Sequence, residues 1–434
     1  MYAAIAGLRT HMQNLNVIGN NVANVNTQGY KASRSIFKTS LYTSLSGGSN
    51  GTAVMGGTNP SQIGYGSNVS SVDIDMSTGN YNPTGISTDL MLDGAGFFLV
   101  GDKTIADTFH GDALDVGKLS SLLLTRVGNF EFKADGYFAN NDGNCVYGFQ
   151  CIGKWTNEDI YETDDQGNVT NTRRADVPID VKVGDPKFSD QLVPIRLPQV
   201  RSKVQWYEKQ EDGSLRPLED DEIDDATGLP DGYDPTDPDT QGDYISQEEW
   251  EIVYPEANAS GIHAVNDDGG TPYAMGQFQL ITVDKNTGLI TGVSNETKEV
   301  VTIGCVAVGM VTNPNGVTNM GDNYYRASNG SGELTVAVLG GNASTMNIKQ
   351  INASKFVGSA DPNDPNATTI PTIDGLRPRN GGETKMLSSG LEMSKTDLAQ
   401  EIANMILTQR GYQANTRIIT VTDSMLEELV NMKR

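Results

Sequence analysis

A mainly β protein held between two long terminal α-helices is what this sequence predicts, and three observations predict it. Toward one end Leu398, Met405, Tyr412, Ile419 and Leu426 recur every seventh residue, with Ile402 and Val430 four places after two of them. That is the 3.5-residue period of a coiled-coil seam. At the other end Ile5, Leu8, Met12, Leu15 and Val22 form a second stripe built from steps of three and four, with Gly19 in its remaining place. Between them, short alternating segments are parted by turn residues, and 48 glycines in 434 residues suit short strands joined by tight turns. The fold class expected is nested β domains between N- and C-terminal helices that pair as a coiled coil.

Taking the elements in order, the first helix should run to a stop at Gln28 and Gly29, because Gly is the usual residue just past a helix end. Gly19 costs that helix roughly 1 kcal/mol against Ala, but it permits close backbone approach. Asn20, Asn21, Asn24 and Asn26 give it an uncharged polar face, suited to packing against copies of itself or to a wet lumen. Periodicity alone equally fits two ordinary core helices of a globular domain. Residues 30–66 read as a connector, weakly patterned at first and then irregular where Gly, Ser, Thr and Asn dominate from 46 onward.

Strands begin at 69–76, which alternates at period two, and continue at 90–93, 94–100 and 125–132 before a turn at Asp135 and Gly136. A first β domain therefore occupies 67–151. From 152 to 299 the composition shifts to acidic turns and aromatic fragments such as those around Trp206 and Trp250, which reads as an inserted outer β domain. Its acidic run, from Glu219 through Asp239, lacks the ligand order and closing Glu of a calcium loop, and reads as a solvated loop. At 300–391 the buried-strand character of the first domain returns, with strands at 301–311 and 334–339 and a turn at 313–316. A chain that leaves one domain, builds another and comes back has both termini at the same end. The terminal helical domain is thus 1–29 with 392–434. Its second helix spans 394–432, opened by Ser394 and Asp397 as a capping-box-like start and closed by Lys433 and Arg434 against the helix dipole. Such a helix is about 55–60 Å long, longer than a small domain is wide.

Catalytic chemistry is not legible. The three histidines, His11, His110 and His263, lie in no catalytic pattern, and there is no nucleophile elbow, zinc-protease helix, P-loop or dinucleotide fingerprint. No enzyme activity, cofactor, metal or small-molecule substrate is expected. A formal charge of −24 disfavours nucleic acid, whose phosphates it would repel. Cys145, Cys151 and Cys305 form an odd set without metal-site spacing, so neither a disulfide framework nor a zinc site is indicated. Cys145 and Cys151 could face the same side of a strand pair. The first residues lack the basic start and continuous apolar run of a secretory signal, which by itself points to the cytosol.

The run 15–31, LNVIGNNVANVNTQGYK, resembles the signature shared by bacterial flagellar rod and hook proteins. The segments 391–398, 405–415 and 423–431 resemble that family's C-terminal helix, while 93–98, 125–132 and 303–321 resemble its inner β domain; the acidic insert carries no such likeness. The resemblance implies a structural subunit of a helical tube whose terminal helices line a central channel. Length and the large insert favour a hook subunit, a curved universal joint between rod and filament, over a distal rod subunit; a surface adhesin is a remoter alternative. Implied partners are copies of itself, the rod and hook–filament junction proteins, a hook cap during assembly and the flagellar type III export apparatus. Export by that route needs no cleaved signal peptide and leads to an extracellular hook. Phe37 and Leu41 match the family's Phe-x-x-x-apolar export-gate pattern, and some members join neighbours through a Cys-derived bond to Lys, which nothing local to the three cysteines identifies in this chain. The apolar stripes are expected to be the subunit-packing residues, with both termini largely disordered until neighbouring subunits cover them.

Overall fold

A computed structural model of the chain describes residues 2–48, 50–51, 55–103, 121–154, 156–163, 169–173, 183–188, 192–210, 215–218, 223–224, 229–230, 244–258, 261–263, 265–266, 272–332, 334–338, 351–352 and 384–432. Apart from Ile223–Asp224 and Leu229–Pro230, the acidic run at 219–239 lies outside them, as do His110, Lys433 and Arg434. The chain is mainly β with a helix at each end, and it divides into two compact units.

The first unit comprises Met1–Thr84, Val311–Glu333 and Leu391–Arg434. Its N-terminal helix is Tyr2–Ala23, ending earlier than the Gln28–Gly29 expectation. The reason is local: the Asn24 amide donates to the Asn20 carbonyl (3.0 Å) and the Thr27 hydroxyl to Asn24 Oδ1 (3.0 Å), side-chain bonds that compete with further helix. Gly29 serves a different turn, at φ 68°, and its N–H donates to the Glu392 carbonyl at 2.8 Å. The C-terminal helix is Leu398–Met432 and starts four residues later than expected. Asp397 alone caps it, accepting from the N–H groups of Ala399 (2.9 Å) and Gln400 (3.2 Å), while the Ser394 hydroxyl pairs with that of Thr396.

The expected connector contains a β-ribbon. Ser33–Thr39 pairs antiparallel with Ser67–Ile74, and Tyr42–Ser46 with Ser61–Gly64. Nearly all residues of the second pair are exposed, so no face is buried and no apolar alternation marks these strands in the sequence.

The second unit is Gly85–Met310 with Leu334–Gly390. Its main sheet runs Phe278–Val283, Leu289–Ser294, Val300–Val311, Cys145–Lys154, Phe97–Gly101, Leu123–Thr125, all antiparallel. Phe98, Leu99, Leu124, Phe130, Phe138, Tyr147 and Phe149 fill its core, with Phe98 and Phe130 edge to face at 5.1 Å. Strands at 186–194 and 278–294, which the sequence reading places in the outer insert, are hydrogen-bonded into this same sheet. Gln199–Lys209 and Tyr244–Val253 form a long ribbon in a sheet of their own with Leu215–Pro217 and Ala274–Met275. Cys145 and Cys151 sit on one continuous strand, six residues or about 20 Å apart. That is far beyond the reach of a disulfide, and all three thiols are free and buried.

Candidate assembly surface

The two terminal helices pack antiparallel through a face that the apolar periodicity does not mark. Gly7 lies against Asn415, His11 against Gly411, Asn14 against Thr408 and Asn21 against Glu401. These positions also advance by three, four and seven, but they stand one residue away from each apolar stripe, about 100° around each helix. The contacts are close. A Cβ added to Gly7 would stand 2.7 Å from Asn415 Nδ2, and one on Gly411 2.7 Å from His11 Cε1. Small residues let the backbones approach, and polar side chains then satisfy one another in the contact.

None of the expected packing residues is fully buried in this contact. Ile5, Met12, Leu398, Ile402, Tyr412, Leu426 and Val430 are exposed, and Leu8, Leu15, Val22, Met405 and Ile419 are half-buried. Ile406, Leu407, Ile418, Val421, Met425 and Leu429 are exposed beside them. Exposed apolar side chains in such number on one helix leave apolar surface open to water on the single chain.

The residues that join helices to ribbon were missed by the sequence reading. Ser35 donates to Asn14 Oδ1, Asn14 Nδ2 to Thr408 Oγ1 (2.9 Å), and Thr408 to the Asn404 carbonyl (2.8 Å). Asn21, fully buried, accepts from the Tyr30 hydroxyl and the Ser33 N–H, both at 2.9 Å, and donates to the Ser33 carbonyl (2.8 Å) and Glu401 Oε1 (3.2 Å). Burial, with the Glu401 charge second, pushes the Tyr30 hydroxyl above its ordinary pKa. Lys31 and Glu392 form an ion pair at 2.6 Å with 1% of either side chain exposed; Lys31 also reaches the Ser77 carbonyl at 2.8 Å, and Glu392 accepts the Gly79 N–H at 2.6 Å. The pair ties the exit of the first helix to the approach of the second. Clustered Asn on a helix was the available signal: Asn21 is buried in this internal network, while Asn20 and Asn26 are exposed.

Phe37 lies on the ribbon strand Ser33–Thr39 and Leu41 just beyond it, both exposed. The thiols, by contrast, are shielded. Burial pushes Cys145 and Cys151 up to about 11, and Cys305 higher still. Since the thiolate is the reactive form, the folded chain holds all three inert.

Residues 1–31 match the family described as flagella basal body rod protein, and residues 387–432 the one described as flagellar basal body rod FlgEFG protein C-terminal. The two matches lie at the two ends of the chain, on the segments that hold the terminal helices. Over 508 aligned residues the chain is 25% identical to the flagellar hook protein FlgE of Borreliella burgdorferi, covering all of this chain and 99% of that one. It is 24% identical to FlgE of Treponema pallidum over 514 aligned residues, again covering all of this chain and 99% of that one. To the flagellar basal-body rod protein FlgG of Bacillus subtilis it is 26% identical over 436 residues, covering all of this chain and 98% of that one. A crystal structure of the Helicobacter pylori flagellar hook protein FlgE2 overlaps 62% of this chain and 98% of its own at 13% identity, with a TM-score of 0.26, too low to compare element with element.

Proposed function

We infer that this chain is a structural subunit of the bacterial flagellar hook, with no catalytic role, that polymerises into a curved helical tube. The observation that carries the reading is that neither apolar stripe is buried in the single chain, on a chain matched end to end by hook proteins. Non-closing contacts between identical subunits give an open helical filament. In that filament Ile5, Leu8, Met12, Leu15 and Val22, with Leu398, Ile402, Met405, Tyr412, Ile419, Leu426 and Val430, are the packing residues, forming coiled-coil seams with helices of neighbouring copies. The helices surround the export channel, residues 152–299 face outward, and sliding between outer β surfaces permits bending as a universal joint. Rod, junction and cap proteins meet the ends of the tube. The subunit passes the type III apparatus with no cleaved signal peptide, Phe37 and Leu41 being read at the gate before folding, and the hook stands outside the cell.

A distal rod subunit is the second reading, favoured by one observation: the FlgG relative is 26% identical over all of this chain and 98% of its own, as similar as the hook relatives. Electron microscopy of basal bodies from cells lacking this chain decides between them. Loss of the curved segment with the rod intact is expected; loss of the distal rod itself would establish the second reading.

A further inference from the structure

Asn-Gly pairs stand at 50–51, 315–316 and 329–330 among the described residues, and they differ in how freely the glycine can move. An asparagine side chain cyclises most readily onto a following glycine, because no Cβ there hinders the amide nitrogen. A Cβ added to Gly51 would stand 2.9 Å from the Gly57 nitrogen, and one on Gly316 2.1 Å from the Gly330 carbonyl oxygen. Gly316 also donates its N–H to the Asn313 carbonyl at 3.0 Å. Gly330 has room. Its nearest such neighbour is 3.5 Å away, and its N–H donates to the Ser328 hydroxyl at 3.2 Å. Asn329 and Gly330, both exposed, are the middle residues of a β-turn closed by the Ser331 N–H on the Ser328 carbonyl at 3.0 Å. This turn holds the neighbouring segment, since Asn313 donates its N–H to the Ser331 carbonyl (2.9 Å) and Nδ2 to the Gly330 carbonyl (3.0 Å).

We propose that Asn329 is a site of spontaneous deamidation, and that the change loosens the hold of this turn on 313–316. The Gly330 nitrogen bonds to Asn329 Cγ, the bond from Cγ to the side-chain nitrogen breaks, and ammonia leaves with the proton from Gly330. Water then opens the cyclic imide. Attack at the side-chain carbonyl gives aspartate on an unchanged backbone, whereas attack at the main-chain carbonyl gives isoaspartate, whose backbone runs through Cβ and Cγ and is one atom longer. That added length falls just before Gly330, whose carbonyl accepts from Asn313. Either product carries a negative charge where the amide was neutral.

Peptide mapping by mass spectrometry tests it on the full folded chain held in mildly alkaline buffer, with isoaspartyl methyltransferase labelling to mark isoaspartate. Asn329 is expected to convert about tenfold faster than Asn50 or Asn315, whose glycines must also give up close packing. Asn380, which precedes Gly381 outside the described residues, is read on its own peptide. Gly330 does not take a left-handed conformation and has space for a Cβ, so Gly330→Ala should keep its circular dichroism while converting several-fold more slowly. Hydrogen exchange over 313–317 should quicken in the converted chain but not in freshly prepared Asn329→Asp, which adds the charge without the extra backbone atom. Equal conversion at 315 and 329, an unchanged rate in Gly330→Ala, or exchange that does not distinguish converted from unconverted chain would overturn the proposal.

Discussion

The imidazole of His11 lies directly over Gly411, so close that a Cβ on the glycine would stand 2.7 Å from His11 Cε1. Gly411→Val is therefore expected to force the helices apart, costing about 1–3 kcal/mol as other overpacked contacts do. His11→Ala in the same chain should recover much of that loss. Denaturant unfolding of the two single variants and the double measures the coupling, and simple additivity would show that the two side chains do not share this space.

The Lys31–Glu392 pair is closed off from water, which sets its response to mutation. Removing one partner leaves a buried charge without its counter-ion, so Glu392→Ala is expected to destabilise the first unit by about 3–5 kcal/mol. Replacing both with apolar residues, Lys31→Met with Glu392→Leu, should be far milder than either single change. Thermal unfolding of the three variants checks the order, and a double variant worse than both singles contradicts it.

Asn21 makes four hydrogen bonds that span helix, turn and ribbon. Asn21→Leu strands the Tyr30 hydroxyl and the backbone of Ser33 inside the fold, at a cost of about 1–3 kcal/mol for a buried group left unsatisfied. Amide hydrogen exchange should quicken in 30–35 before the second unit changes. Uniform loss of protection over the whole chain would argue against so local a role.

The thiols give a pH dependence of definite sign. Below the ordinary value of 9.0 the thiols stay largely protonated in both folded and unfolded chains, and they contribute no pH dependence there. Between 9.0 and about 11 the unfolded chain releases protons that Cys145 and Cys151 retain when folded, so stability falls as pH rises. Burial raises the hydroxyl of Tyr254 as well, adding to the fall above its ordinary 10.0. Replacing the three cysteines with alanine should flatten the slope between pH 9 and 10. Thiol reagents should label none of them at pH 8 until denaturant is added; rapid labelling of the folded chain would contradict their burial.

Helices at both ends, a β body between them and the likeness to rod and hook proteins were all readable in the sequence, because heptad spacing, period-two alternation and the Asn-rich signature at 15–31 are local patterns. The face on which the helices meet was not. Apolar periodicity reports which side of a helix avoids water, and here the single chain leaves that side uncovered while Gly7, Asn14, Thr408 and Gly411 make the internal contact. Small and polar residues at seam spacing carry no hydropathy signal. The strand pair Tyr42–Ser46 with Ser61–Gly64 was hidden for a related reason, since a strand exposed on both faces has no alternation to display. Lys31 and Glu392 are 361 residues apart in sequence, and a single chain gives no sign that two such charges share one buried site.

Whether the outward stripe is a subunit contact is tested most directly by analytical ultracentrifugation with negative-stain microscopy of the full chain and of a Leu426→Gln, Leu429→Gln, Val430→Gln variant. These three side chains are 48–65% exposed, so the variant should keep its helix content by circular dichroism. The unmodified chain is expected to sediment as tubes and the variant to remain monomeric. Tubes of equal yield from both, or monomers from both, would contradict the assignment of that stripe to assembly.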